Sequence, residues 1–252
     1  MTAPPDEAAA SKHGWPSVPA GTFLLSVGLI WAFELGLSVV LAGVLMLASE
    51  AGPRGVAGGD HLSPRFVAAA LVTTFLSALF TLAVTWYAMC RRARRAFFQG
   101  FLFGRFDRAA VFSVLVGAGL VVAALWLRTT WLPKESFMSK LARSPVGLLA
   151  VMLLGLMLPF VEEIYYRGFI FTFLEKRMRV VAAVALTSLW FAVAHAAQLW
   201  GDWSGLAVIL VAGVVWTIQR SYYKQLLPPL LCHLTYNSLQ LALAIGLGIS
   251  EM

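Results

Sequence analysis

The stretch VGLLAVMLLGLMLPFVEEIYYRGFIFTFL, residues Val146–Leu174, places two glutamates and an arginine inside one long apolar run. About 20 mostly apolar residues are enough for a membrane-spanning helix, so the run predicts a span with residues to spare. A charged side chain inside a span costs roughly 2.5–3.5 kcal/mol on insertion scales. Glu162, Glu163 and Arg167 are therefore expected to have partners within the membrane, or a function there.

The rest of the chain shares this apolar character. Of its 252 residues, 60% are hydrophobic and 12% are charged, and the mean hydropathy is +0.81. Soluble domains are nearer half apolar and a quarter charged, so the composition predicts an integral membrane protein. Six further runs are candidate spans: Thr22–Ala48, Arg65–Cys90, Ala109–Leu127, Val180–Leu199, Trp203–Gln219 and Leu227–Ile249. We predict an all-α, polytopic transmembrane helix bundle of about seven spans, or eight if Trp131–Arg143 forms another element.

The basic residues predict the orientation in the membrane. The net charge of +7 comes from residues between the apolar runs, so we attribute it to membrane topology and predict no nucleic-acid partner. With seven spans, twelve basic residues share the side of the amino terminus and six lie opposite. The twelve are Lys12, Arg91, Arg92, Arg94, Arg95, Arg105, Arg108, Lys176, Arg177, Arg179, Arg220 and Lys224; the six are Arg54, Arg65, Arg128, Lys134, Lys140 and Arg143. The amino terminus is therefore predicted to be cytoplasmic.

Polar side chains concentrate in the later spans. His195 lies on the fifth, and His233 and Asn237 lie on the last, whereas the first three spans hold one acid, Glu34, which we interpret as structural or interfacial. Residues four apart share a helix face, so Glu163 can pair with Arg167, and His233 and Asn237 can enter one cavity. Glu162 then points about 100° away from Glu163. Three helices can bring all these groups together.

This set of groups suits hydrolysis by water. Glu162 and His195 could activate water directly, while His233 and Asn237 stabilise an oxyanion. Alternatively, Glu162, His195 and His233 could hold a divalent metal such as zinc, which acidifies bound water. Either route requires a polar cavity at membrane depth. Pro159 can free a backbone carbonyl and kink the helix just before Glu162.

These residues resemble the CPBP family of intramembrane proteases, also called the CAAX-protease or Abi family. Three patterns of the family are complete and in order: Glu162-Glu163-x-x-x-Arg167, then Phe191-x-x-x-His195, then His233-x-x-x-Asn237. The resemblance implies that Glu162 activates water with help from His195, and that His233 and Asn237 polarise the scissile carbonyl. Glu163 and Arg167 would orient the site. The family is classed as metal-dependent, with direct activation by glutamate as the alternative.

The composition divides the chain into a polar, Pro/Ala-rich tail and one membrane domain, because we find no internal repeat and no soluble domain. We predict a disordered cytoplasmic tail over residues 1–21 and a protease domain over residues 22–252, with its catalytic half at about 146–249. The first segment has no signal-peptide core. The expected setting is a bacterial inner membrane, with a membrane-associated protein or peptide as substrate: a CAAX-type end, a sorting tail or a leader. Cys90 and Cys232 are predicted to be free thiols.

Two other functions fit the same residues. A carboxylate–histidine cluster could relay protons or cations in a transporter, although we find no inverted repeat. A non-catalytic scaffold or immunity protein could use the cluster to fix helix packing. The sequence leaves open the substrate, the cleaved bond, any need for a prenyl group, the metal and the oligomeric state.

Overall fold

The structure, a computed structural model, describes residues 17–48, 64–91, 101, 103–130 and 145–246. Within these residues it contains seven helices and no strand. They are α1 (Ala20–Ala48), α2 (Pro64–Trp86, ending in a π-helical turn Tyr87–Arg91), α3 (Arg108–Thr130), α4 (Pro145–Glu175), α5 (Val180–His195), α6 (Trp203–Tyr223) and α7 (Leu227–Gly246). The predicted all-α polytopic bundle is confirmed.

Each predicted span coincides with one helix. Five of the seven, α1, α2, α3, α4 and α6, are long and apolar enough to cross a membrane by length and composition. Helix α5 has 16 residues and ends at His195, four residues before the predicted end of its span. At 1.5 Å per residue it is about 24 Å long, short of the ~30 Å hydrocarbon core. The chain then turns through Gly201, whose φ of 90° favours glycine, into α6.

Some sequence predictions fall on residues that the structure does not describe. The segment Trp131–Arg143 lies outside the described residues, as do residues 1–16 of the predicted tail. The part of that tail that is described is held in place, because Val18 is buried and its carbonyl oxygen accepts a 2.8 Å hydrogen bond from Arg177 Nη2.

The outer surface of α1 is apolar. Leu24, Leu35 and Val39 on this helix are 67%, 68% and 63% exposed. A soluble monomer rarely exposes so continuous an apolar face, whereas hydrocarbon chains would solvate it. The exposed leucines and valines therefore mark the lipid-facing side of an integral, multi-pass membrane protein.

Helices α3 and α7 meet at a glycine. A Cβ added to Gly117 would lie 2.5 Å from the carbonyl oxygen of Cys232 and 2.9 Å from Thr235 Cβ. Small residues at such contacts let two helix backbones approach closely. Since Cys232 precedes His233, this contact fixes the part of α7 that carries the histidine. Cys90 and Cys232 are both buried and free, as predicted.

Candidate active site

The middle of α4 is a π-helix. Over Glu163–Ile170 the backbone leaves the α-helical pattern, and the amide of Phe171 donates to the carbonyl of Tyr166, five residues back. The sequence predicted a continuous α-helix here. Single π-helical turns are rare and occur frequently at functional sites. All eight residues of this segment are buried, because neighbouring helices enclose it on every side.

Pro159, about one turn before the π-helix, already interrupts the regular hydrogen bonding of α4. It has no N–H, so the carbonyl four residues back, that of Gly155, loses its helical partner. Asn237 of α7 replaces that partner: its Nδ2 donates to the Gly155 oxygen at 3.0 Å. The side-chain amide thus ties α7 to the point in α4 where the ordinary hydrogen-bond ladder is interrupted.

A fully buried ion pair lies in the π-helix. Arg167 Nη1 lies 3.0 Å from Glu163 Oε1, and neither side chain is accessible to solvent. The other guanidinium nitrogens bond to α6: Nη2 donates to the Gly213 carbonyl at 3.2 Å and Nε to Thr217 Oγ1 at 3.3 Å. A buried charge is tolerated only when it is paired and hydrogen-bonded in this way. The pair predicted from the spacing of four is confirmed.

Both histidines direct the same ring nitrogen toward Glu162. His195 Nδ1 donates to the carbonyl of Phe191 at 2.8 Å, and His233 Nδ1 donates to Glu163 Oε1 at 3.0 Å. A carbonyl oxygen and a carboxylate only accept, so we assign the proton to Nδ1 in each ring. The remaining atoms, the two Nε2, lie 3.7 Å and 3.6 Å from the two oxygens of Glu162.

These separations leave room for water beside a carboxylate. They exceed the 2.7–3.2 Å of a direct hydrogen bond, and a polar contact of this length is one that water commonly bridges. Glu162 and His195 are 19% and 17% exposed, whereas the side chain of His233 is only 4% exposed. Glu162 and His195 are therefore the members of the cluster that solvent and a ligand can reach.

Glu162 and His195 line a cavity of about 300 Å³ near the middle of the bundle. Its remaining walls come from α1, α2 and α4 and include Trp31, Glu34, Ser77 and Tyr165. This volume lies at the lower end of the range for small-molecule sites. The cavity places polar side chains such as Glu34 and Ser77 in the same space as Glu162.

The structure brings five of the six predicted site residues into one connected cluster: Glu162, Glu163, Arg167, His195 and His233. Asn237 lies on the same helix as His233, but its amide donates to the Gly155 carbonyl. Sequence reasoning missed the position of Glu34, which shares the cavity with Glu162. The sequence feature that could have pointed to Glu34 is that it is the one acid in the first three predicted spans.

The three predicted metal ligands, Glu162, His195 and His233, are of suitable chemical types, but they do not form a preformed metal site. Two imidazole Nε2 atoms and a carboxylate are donors that zinc accepts, and their Nδ1 partners would act as an outer shell. Within the described ranges, however, no group of three or more His, Cys, Asp or Glu side chains is arranged to hold an ion. We derive no step through a metal, and the zinc site at Glu162, His195 and His233 stays a prediction.

A carboxylate and an imidazole at the wall of a cavity, with a second imidazole behind them, form a candidate site for hydrolysis. Residues 144–239 match the family described as Type II CAAX prenyl endopeptidase Rce1-like. The matched residues include all three motifs. The family predicted from them is confirmed. No curated protein and no solved structure matches the chain.

The bond between Asn237 and Gly155 gives a prediction about stability. Asn237→Leu should lower the free energy of unfolding by about 0.6–1.7 kcal/mol, the range of polar contacts between membrane helices. Pro159→Ala restores an amide at position 159, so in that background the same change should cost less. A double-mutant cycle in detergent, followed by unfolding, measures the coupling. Equal costs in both backgrounds would contradict the assignment.

Proposed function

We propose that this protein is an intramembrane endopeptidase that hydrolyses a peptide bond of a membrane-associated protein or peptide with water activated by Glu162. The observation that carries the proposal is the placement of the Glu162 carboxylate between two imidazole Nε2 atoms at the wall of an internal cavity. The family match supports proteolysis of this general kind.

Glu162 is the proposed general base. A water held between its carboxylate and His195 Nε2 gives a proton to Glu162 as its oxygen attacks the carbonyl carbon. His195 keeps its orientation because Nδ1 is held by the Phe191 carbonyl. When the tetrahedral intermediate breaks down, the carbon–nitrogen bond is cleaved and the departing nitrogen takes the proton back from Glu162. The products are a carboxylate and an amine.

His233 and Asn237 are the proposed donors to the oxyanion. His233 lies between the carboxylates of Glu162 and Glu163, and in the form that carries a hydrogen on Nε2 as well as on Nδ1 its Nε2 can donate to the oxyanion. Asn237 uses one hydrogen of its Nδ2 for Gly155, and an amide nitrogen carries two. The second can face a substrate. Glu163 and Arg167 act as positioning residues, since they hold His233 and not the substrate.

The setting of the reaction is proposed from the sequence. The arrangement fits a protease with a cytoplasmic amino terminus in a bacterial inner membrane, acting on a CAAX-type end, a sorting tail or a leader. A prenyl group on the substrate, a divalent metal and a particular oligomeric state are not required by the steps above.

The proposal is tested by comparing protein termini in cells that express the wild type or Glu162→Gln. Glutamine keeps the size of glutamate but cannot take up a proton at neutral pH. We expect at least one new carboxyl terminus, with its matching amino terminus, in membrane proteins of wild-type cells alone. Identical sets of termini at equal expression would contradict the proposal. A peptide end that appears only with the wild type would identify both substrate and bond.

A further inference from the structure

The cavity wall opposite the catalytic cluster carries a second carboxylate. Glu34 lies at the centre of the 29-residue α1, and it is the one charged residue of that helix. Its Oε1 accepts a 3.0 Å hydrogen bond from Ser77 Oγ of α2. Glu34 lines the same cavity as Glu162 and His195, so a molecule in the cavity would be bounded by both acids.

Within the described part of the chain, Glu34 forms no ion pair, unlike Glu163 and Glu175. Glu163 pairs with Arg167 at 3.0 Å, and Glu175 lies 3.4 Å from Arg220 and 3.2 Å from Lys224. Among the residues that the structure describes, the Ser77 hydroxyl is the hydrogen-bond donor to the Glu34 carboxylate, and Tyr165 and Tyr166 lie close enough to interact with it electrostatically. An ionised carboxylate has about four acceptor sites, so one hydroxyl leaves most of them unused.

Tyr165 adds an independent observation at the same place. Its side chain is 5% exposed and lines the cavity, and its hydroxyl, which lies near Trp31 and Glu34, forms no hydrogen bond of ordinary geometry among the described residues. Buried hydroxyl groups are normally satisfied, and an orphan one calls for an explanation. A phenolic oxygen can accept a hydrogen bond from the same donor that approaches Glu34.

Three other hydroxyl groups of this wall already have partners within their own helices. Thr73 and Thr74 donate to Ala69 and Ala70 of their own helix, and Ser38 donates to the carbonyl of Glu34. The carboxyl group of Glu34 and the phenol of Tyr165 are therefore among the acceptors left open in the cavity. Between them lie apolar side chains such as Leu37 and Ala78.

We propose that Glu34 selects substrates that have a lysine or arginine side chain close to the scissile bond. The proposal rests on the proteolytic function above, because a peptide bond held against Glu162 places its neighbouring side chains in this cavity. The methylene stem of a basic side chain would cover the apolar lining, and its charged end would reach Glu34 and Tyr165. Far from bulk water such a pair is screened little, so it can discriminate strongly.

The experiment uses purified full-length protein in detergent micelles with a library of synthetic peptides of known sequence, and cleavage sites are read by mass spectrometry. Wild type is compared with Glu34→Gln, Glu34→Asp and Glu162→Gln. Glutamine at position 34 can still accept from Ser77, so it removes charge and preserves shape. Thr73→Val is the matched control, since it alters the same wall at a hydroxyl that bonds only within α2.

We expect wild type and Thr73→Val to prefer bonds flanked by lysine or arginine over the same peptides with methionine there. Hydrogen bonds to charged groups are strong enough for a preference of about ten- to a hundredfold in kcat/KM. Glu34→Gln should lose this preference while still cleaving the methionine peptides, and Glu34→Asp should retain part of it.

Two results would overturn the inference in distinguishable ways. If the wild type shows no basic preference, or Glu34→Gln keeps it, Glu34 does not select cations, although cleavage that depends on Glu162 would leave the protease function intact. If the wild type cleaves no peptide, or Glu162→Gln cleaves equally well, the proposed function fails and the inference fails with it.

Discussion

Glu162→Gln is expected to reduce kcat/KM for peptide cleavage by about a hundredfold to ten-thousandfold, the contribution of a positioned general base. Glutamine still fits between the Nε2 atoms of His195 and His233, which lie 3.7 Å and 3.6 Å from the carboxylate oxygens. It cannot accept the proton of the attacking water. The measurement is steady-state cleavage of a peptide identified with the wild type, together with the unfolding midpoint of both proteins.

Glu175→Gln serves as the control for this change. Glu175 is another partly buried glutamate of α4, but its partners are Arg220 and Lys224, outside the cavity. We expect this variant to retain activity at temperatures where it remains folded. If Glu162→Gln keeps more than about a tenth of wild-type activity, Glu162 contributes less than one general base should, and the proposed role is wrong.

The largest effect on stability is expected at the buried ion pair. Arg167→Met leaves Glu163 without its guanidinium partner, and breaking a buried pair from one side costs about 3–5 kcal/mol. Both side chains are inaccessible to solvent, so water cannot compensate. The free energy of unfolding in detergent, measured against a graded denaturant, should fall by that amount relative to the wild type.

The double variant Glu163→Leu with Arg167→Met separates packing from catalysis. Apolar replacement of both partners is often neutral for stability, so most of the lost free energy should return. Activity should not return, because Glu163 Oε1 also holds His233 Nδ1 at 3.0 Å. Recovery of cleavage together with stability would show that Glu163 and Arg167 only support the packing of α4 against α6.

The sequence predicted most of the fold because the membrane imposes one simple rule. Every apolar run longer than a bilayer is thick must become a helix that satisfies its own backbone. The ends of the helices were predicted less accurately where tertiary contacts compete with that rule. The fifth span ends at His195 instead of Leu199, since the chain must reverse through Gly201 before α6. The hydropathy of the sequence does not indicate where such a turn occurs.

The candidate site was predictable where a spacing of four defines a helix face. Glu163 and Arg167 meet as that spacing requires. Three features depended on contacts between helices that no spacing reveals: the π-helix at Glu163–Ile170, the bond from Asn237 to Gly155, and the presence of Glu34 in the cavity of Glu162. Pro159 did predict a freed carbonyl, but only the fold shows which side chain satisfies it.

Gly117 gives the apolar first half of the chain a direct influence on catalysis. The backbone of α7 rests against this glycine one residue before His233, so even one methyl group there would force the helices apart. Contact with lipid could substitute for the apolar packing of α3, but it could not hold α7 at this position along α3. Under the proposed function, a substitution in the apolar amino-terminal spans that displaces His233 would therefore lower activity without touching the site itself.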